Sequence, residues 1–304
     1  MIVDLPDTTT SAISKALVKV REEGGAVALG RVLTLVISSA GATDEEAIEA
    51  ANEASREHPM RVIVVSTVTG DSRLDAEIRV GGDAGASEVV VLRASGEAGS
   101  DPESLVTGLL LPDAPVVVWW PGEAPADPHA SPLGRIGQRR ITDAAASSDP
   151  VAALGRLGTH YTPGDTDFAW TRLTLWRAQL AATLDQPPYE AVTEARVTGS
   201  SDSPSTELLA AWLRLQLQVP VELTVKEPGD GPNGIHHVEL VRDAGVIRLS
   251  RDAGGVALLT QPGQPLHEIA LPRRSLRDCL AEELRRLDPD ELFGEVVRTE
   301  GSKS

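Results

Sequence analysis

The chain of 304 residues holds one cysteine, Cys279, so neither an intramolecular disulfide nor a cysteine-built zinc site can form. No apolar run approaches the roughly 20 residues that a bilayer-spanning helix needs. The first ten residues carry Asp4 and Asp7 and no apolar stretch of signal-peptide type. These absences lead to the expectation of a soluble cytoplasmic protein without membrane contact. Basic charge is also scarce. The formal net charge is −17, and it is spread, with −10 in residues 1–160 and −7 in the remainder. Nucleic acid is therefore not an expected partner, because phosphate backbones need a concentrated basic surface. Hydrophobic residues at 41% and charged residues at 24% are ordinary for a globular chain, and the length suits about two domains.

Catalytic signatures are missing as well. Ser38-Ser39-Ala40-Gly41-Ala42 sits between an expected strand and helix, where doubly wound folds hold phosphate. It lacks the Gly-x-Gly-x-x-Gly spacing, and no Walker lysine is present, so an ordinary turn is the better reading. No Gly-x-Ser-x-Gly elbow offers a hydrolase nucleophile. His236 and His237 are strand neighbours pointing to opposite faces, so they cannot share one metal ion. No catalytic residue, metal ligand or cofactor is assigned.

The periodicity predicts an amphipathic helix over residues 10–23, closed by Gly24-Gly25, then apolar runs at 32–37, 62–68, 89–92 and 116–120. Continuous apolar runs read as strands covered on both faces. A helix over 43–58, opened by Thr43 with Glu46, makes a parallel βαβ unit with the strands around it. Residues 74–80 alternate as a further strand ending at Gly81-Gly82, residues 121–135 are a Pro/Gly/Ala loop, and a helix covers about 150–161. Tyr161-Thr162-Pro163-Gly164 is the expected boundary between an N-terminal α/β domain, 1–162, and a C-terminal α+β domain, 163–304. The second domain is expected to hold one long helix over 167–184, a strand over 193–197, a helix over 204–218 and a strand over 221–226. An antiparallel meander then runs over 235–271, and two helices close the chain at 275–287 and 290–298. Arg-Asp-Ala-Gly occurs at 242–245 and 251–254, which is hairpin-turn chemistry. The fold class is thus α/β plus α+β: a mostly parallel N-terminal sheet with helices and a C-terminal antiparallel meander packed by helices.

Three features stand out. Trp119-Trp120 at the end of a strand suits either an interface or the core of a two-sided sheet. Arg135, Arg139 and Arg140, with Asp143 nearby, form a basic island that either docks an acidic partner or anion, or guards a strand edge. On the 167–184 helix, Trp176, Ala169, Leu180, Leu173 and Leu184 line the main apolar stripe, and Phe168, Leu175 and Ala182 a second. Arg177 falls beside Trp170 at the edge of the main stripe, open to an internal salt bridge or an anion. Arg172 stands one turn from Trp176, a cation–π spacing. Cys279 lies beside Leu276 and Leu280 on an amphipathic helix and reads as core.

Four segments together resemble the OpcA-type family of glucose-6-phosphate dehydrogenase assembly and activator proteins. They are Glu57-His-Pro-Met-Arg-Val-Ile-Val-Val65, Leu111-Pro-Asp-Ala-Pro-Val-Val-Val-Trp-Trp-Pro-Gly122, Arg139-Arg-Ile-Thr-Asp143 and Asp167-Phe-Ala-Trp-Thr-Arg-Leu-Thr-Leu-Trp-Arg177. The likeness runs from about residue 30 to about 298. It implies a non-catalytic accessory subunit whose partner is glucose-6-phosphate dehydrogenase. The alternative reading is a protein that senses or processes a sugar phosphate or nucleotide, a small-molecule effector, at its own ligand site above the N-terminal sheet. Carried over by position, His58, Arg61, Trp119, Trp120, Arg139, Asp143, Trp170, Arg172, Trp176 and Arg177 become candidate binding residues, beside the island residues Arg135 and Arg140. The redox control ascribed to some photosynthetic relatives needs paired cysteines, which this chain does not have.

Overall fold

A computed structural model describes residues 1–23, 32–39, 44–80, 88–187, 189–251 and 255–302. The Gly24-Gly25 and Gly81-Gly82 stops, Ala40–Thr43 and the second Asp-Ala-Gly turn at 252–254 lie outside these residues. The chain forms two compact units and crosses between them more than once. The first comprises Met1–Asp143, Thr162–Thr166 and Ser275–Asp290; the second comprises Ala144–Tyr161, Asp167–Arg274 and Glu291–Ser304.

An eight-stranded sheet organises the first unit. Its strands are β1 (Ile2–Leu5), β2 (Leu33–Ser39), β3 (Met60–Val68), β4 (Arg73–Val80), β5 (Glu88–Ser95), β6 (Val116–Trp120), β7 (Arg139–Thr142) and β8 (Asp165–Asp167). They lie in the order β1-β4-β5-β3-β2-β6-β7-β8. The five strands β5-β3-β2-β6-β7 pair parallel, and β4 and β1 add antiparallel at one edge. This parallel order, which steps outward in both directions from β2, is that of the doubly wound nucleotide-binding sheets. The helices α1 (Thr10–Glu23), α2 (Asp44–Ala54) and α3 (Pro102–Thr107) belong to this unit.

The continuous apolar runs are buried on both faces, as their lack of alternation required: every residue of β6 and the first seven of β3 are buried. One face packs Ile13 and Leu17 of α1 against Ile63, Val65, Leu92, Val118 and Trp120. Each such fully buried side chain contributes about 1.5–3 kcal/mol of transfer free energy. On β4 the pattern alternates, so Leu74, Ala76 and Ile78 are buried. Outward-facing Arg79 pairs with Glu77 and Glu45.

In the second unit the helices are α4 (Pro150–His160), α5 (Phe168–Thr171), α6 (Thr174–Leu184) and α7 (Pro204–Leu217). The helix Leu276–Arg285 (α8) returns to the first unit, and α9 (Glu291–Gly301) closes the chain in the second. The sheet of the second unit has strands β9 (Glu194–Ser200), β10 (Val221–Lys226), β11 (Ile235–Arg242), β12 (Gly245–Arg251), β13 (Val256–Thr260) and β14 (His267–Ala270), in the order β10-β9-β11-β12-β13-β14. The meander β11 to β14 is antiparallel throughout. However, β9 and β10 pair parallel across α7, a second βαβ unit within a sheet expected to be antiparallel. Ser203 caps α7 by accepting from the Thr206 N–H, and Pro204 occupies the first turn. Gly245, at φ +129, closes the first Asp-Ala-Gly turn. Gly158 of α4 admits α9 at close range, since a Cβ there would stand 2.3 Å from the Val297 carbonyl oxygen.

The single helix expected over 167–184 is two helices, with Arg172 and Leu173 between them. Asp167 fixes the start of the first. One carboxylate oxygen accepts from the Ala169 N–H at 2.8 Å and caps α5, and the other accepts from the Ala144 N–H at 2.9 Å. The main stripe holds across the break, with Ala169, Leu173, Trp176 and Leu180 buried. The second stripe does not, because Ala182 is exposed.

Candidate functional site

The motif residues on the parallel sheet are drawn into the fold. Trp119 and Trp120 end β6, next to β2, where the strand order reverses direction. Trp119 is wholly buried and Trp120 is 3% exposed, packed in the same core as Val118 and Ile13. Of the two readings of the pair, core packing is the one realised. Arg61, on β3, is buried beside Glu88 on the neighbouring β5, with Nε donating to Oε2 at 2.9 Å and Nη1 donating to the Leu109 carbonyl. His58 follows α2 and is half-buried, and its Nε2 has no hydrogen-bond partner among the described residues.

The basic island is not a surface cluster. β7 lies between β6 and β8 rather than at an edge, and all four of its residues are buried. Arg139 donates from Nε to Glu283 Oε2 at 3.1 Å and from Nη1 to the Asp288 carbonyl at 2.9 Å. Arg140 donates to Asp165, to the Gly137 carbonyl at 2.8 Å and to the Pro163 carbonyl at 2.8 Å. Asp165 also accepts from the Thr162 N–H at 2.7 Å. Burial pushes its carboxyl up from the ordinary aspartate value, against the pull of that N–H and of the guanidinium. Asp143 is buried too. Only Arg135 remains exposed, pairing with Glu103 at 2.7 Å.

The motif residues of the second unit stack. Arg177 lies 3.6 Å from the centroid of the Trp170 ring, the contact that their seven-residue separation made available. Trp170 in turn packs against Phe293, and Phe293 meets Tyr161 edge-on. The expected Arg172–Trp176 contact is replaced. Arg172 stands over Phe168 at 5.8 Å, and the cation over Trp176 is Arg251, at 5.1 Å.

Arg172 and Trp176 also line a cavity of about 360 Å³, together with Arg251, Arg273 and Arg274 and the N-terminal end of α7. Arg251 donates from Nη2 to the Leu271 carbonyl at 3.1 Å, while its buried Nε has no hydrogen-bond partner among the described residues. Burial, aided by the charge of Arg273, pushes its pKa down to about 10, so it stays cationic at neutral pH. Arg273 donates to the Asn233 carbonyl at 2.6 Å, and Arg274 to the Thr171 carbonyl at 3.0 Å. The cavity was not legible as a site in the sequence. Its arginines come from three segments spread over a hundred residues, and only Arg273-Arg274, adjacent in an acidic chain, offered a signal.

Two family models match the chain in succession. Residues 51–159 match the glucose-6-phosphate dehydrogenase subunit N-terminal domain, and residues 163–297 match its C-terminal domain. No curated relative matches. Among solved structures, an oxidoreductase from Sinorhizobium meliloti is similar at 10% identity and TM-score 0.51, covering 90% of this chain and 95% of that one. A glucose-6-phosphate 1-dehydrogenase from Mycobacterium avium is similar at 12% identity and TM-score 0.44, covering 88% and 91%. The first likeness is one of fold, a doubly wound sheet followed by a mostly antiparallel one, and at this identity it carries no activity with it. The matched domains, in order and spanning most of the sequence, establish that the chain belongs to the OpcA family of glucose-6-phosphate dehydrogenase subunits.

Proposed function

We propose that this protein is a non-catalytic accessory subunit that promotes assembly and allosteric activation of glucose-6-phosphate dehydrogenase, in the cytoplasm, at the entry to the oxidative pentose phosphate pathway. The observation that carries the reading is the pair of subunit-domain matches over residues 51–159 and 163–297. Two further observations support the absence of catalysis. The sequence from the end of β2 reads Ser38-Ser39-Ala40-Gly41-Ala42, without a dinucleotide fingerprint. The motif arginines Arg61, Arg139 and Arg140 are committed to internal carboxylates and carbonyls, which leaves them unsuited to polarising a substrate.

The physical mechanism is a population shift. A subunit that binds the assembled, active dehydrogenase better than its dissociated form displaces that equilibrium by the ratio of the two affinities. A tenfold ratio corresponds to about 1.4 kcal/mol and is enough to dominate a balanced equilibrium. The test combines NADP reduction with mass measurement. The purified chain alone is expected to give no turnover of glucose 6-phosphate. Added to the cognate dehydrogenase, it is expected to raise the rate and move the dehydrogenase into a larger species. Turnover by the chain alone, or a mixture with neither response, overturns the reading.

A further inference from the structure

We infer that the arginine-lined cavity of the second unit is a binding site for a phosphorylated sugar, of the size of a hexose monophosphate. The charge argument comes first. In a chain of net −17, the lining brings together Arg172, Arg251, Arg273 and Arg274 against one carboxylate, Asp202. Four cations in one concavity repel one another, and burial sharpens the cost. Arg251 bears it most directly, with a buried Nε that has no hydrogen-bond partner among the described residues and a guanidinium whose charge is disfavoured by Arg273. A dianion placed among them relieves the repulsion and supplies acceptors for planar, charge-assisted hydrogen bonds. The N-terminal end of α7, a helix of 14 residues, adds its dipole to the same lining through Ser203, Pro204 and Ser205.

The rest of the lining selects the body of the ligand. Trp176 lines the cavity with Arg251 seated over its ring, 5.1 Å from the centroid, which fixes the position of that cation. Asp202 and Asn233 are side chains that bind hydroxyls, and a carboxylate in an otherwise cationic site makes little sense for a bare anion. The volume of about 360 Å³ lies at the small end of ligand sites, which run from about 300 to 1,000 Å³. It suits one phosphorylated hexose and not a dinucleotide. The inference goes beyond the accessory reading and stands apart from it, because binding is measured on this chain alone.

The experiment is isothermal titration calorimetry on the full chain, in phosphate-free buffer at about 50 mM ionic strength to limit screening. The titrants are glucose 6-phosphate, fructose 6-phosphate, inorganic phosphate and glucose. At least one hexose phosphate is expected to bind at one site per chain, with inorganic phosphate about tenfold weaker or more and glucose without measurable heat. Arg273 is exposed, and Arg273→Glu is expected to weaken binding about tenfold or more while leaving the melting temperature unchanged. Arg251→Gln is expected to abolish binding. Should that variant fail to fold, Arg273→Glu still decides the matter. Arg135→Gln, outside the lining, is expected to bind as the wild type does. The inference is overturned by no saturable binding of either hexose phosphate up to about 10 mM. It is equally overturned by unchanged affinity in Arg273→Glu, or by inorganic phosphate binding as tightly as the sugars.

Discussion

Replacing Arg140 by Met tests whether the arginines of the family motif act inside the fold or at a surface. Arg140 is 3% exposed, and its guanidinium holds Asp165, the Gly137 carbonyl and the Pro163 carbonyl. Met fills a similar volume and removes all of these contacts. Breaking a buried pair from one side costs about 3–5 kcal/mol, because a buried charge is left uncompensated. Asp165 then keeps the Thr162 N–H as a partner and responds by holding a proton. The sign of the pH dependence follows. The folded-state pKa of Asp165 is already raised by burial, and without the guanidinium it rises further. A carboxyl with a raised folded pKa favours folding below the unfolded value near 4 and loses that stabilisation as pH rises through the folded pKa. The penalty of Arg140→Met is therefore smallest at acid pH and grows toward neutrality. Urea unfolding of a two-unit chain need not be two-state, so hydrogen exchange at the β7 amides is the appropriate reading of the first unit. The double variant Arg140→Met with Asp165→Asn should recover part of the loss and give a coupling energy of about 1–3 kcal/mol. A penalty under about 1 kcal/mol, or one that does not change with pH, refutes the reasoning. So does a variant of wild-type stability that no longer binds the dehydrogenase.

Arg135→Glu should leave stability nearly unchanged, since its pair with Glu103 is exposed; if this surface docks the dehydrogenase, the substitution should slow association, most strongly at low salt, as surface-binding kinetics would record. Arg177→Lys should lower stability by about 0.5–2 kcal/mol in thermal melts, because an ammonium cannot reproduce a planar guanidinium stacked on the Trp170 ring; an unchanged melt would mean that the stack contributes nothing. Cys279 is fully buried and should react with a thiol reagent only on unfolding, and activation of the dehydrogenase should be equal under oxidant and reductant; a redox response that disappears in Cys279→Ala would contradict this.

The sheet of the first unit was legible because its signal is local. Val62 to Val65 and Val116 to Trp120 are apolar without alternation, and a strand covered on both faces leaves no other pattern. The alternating run at 74–80 announced a strand with one wet face just as plainly, and burial of Leu74, Ala76 and Ile78 follows it residue by residue. What failed was whatever depended on neighbours far along the chain. The basic run at Arg139 was read as either a docking island or a guarded edge, but the segment 162–166 returns beside it as β8 and encloses it. Glu283, which neutralises Arg139, lies 144 residues away, a separation at which sequence gives no hint of pairing. The parallel β9–α7–β10 unit was missed for a related reason, since helix and strands were each identified but their register is a tertiary fact.

The arginines sort themselves by the same distinction between local and distant neighbours. Charge that appears clustered in the sequence, at 135–140, is mostly neutralised in the fold by Asp165 and Glu283. Charge that appears scattered, at 172, 251, 273 and 274, converges on one cavity in which Asp202 is the one carboxylate among the described lining residues. A run of like charge along a chain must find counterions nearby or face water, so local clustering predicts structural pairing as readily as function. Convergence of like charge from distant elements has no such local account. Their meeting raises the electrostatic energy of the folded state. A bound anion would offset that energy, which makes the dispersed arginines, rather than the island, the informative cationic feature of this protein.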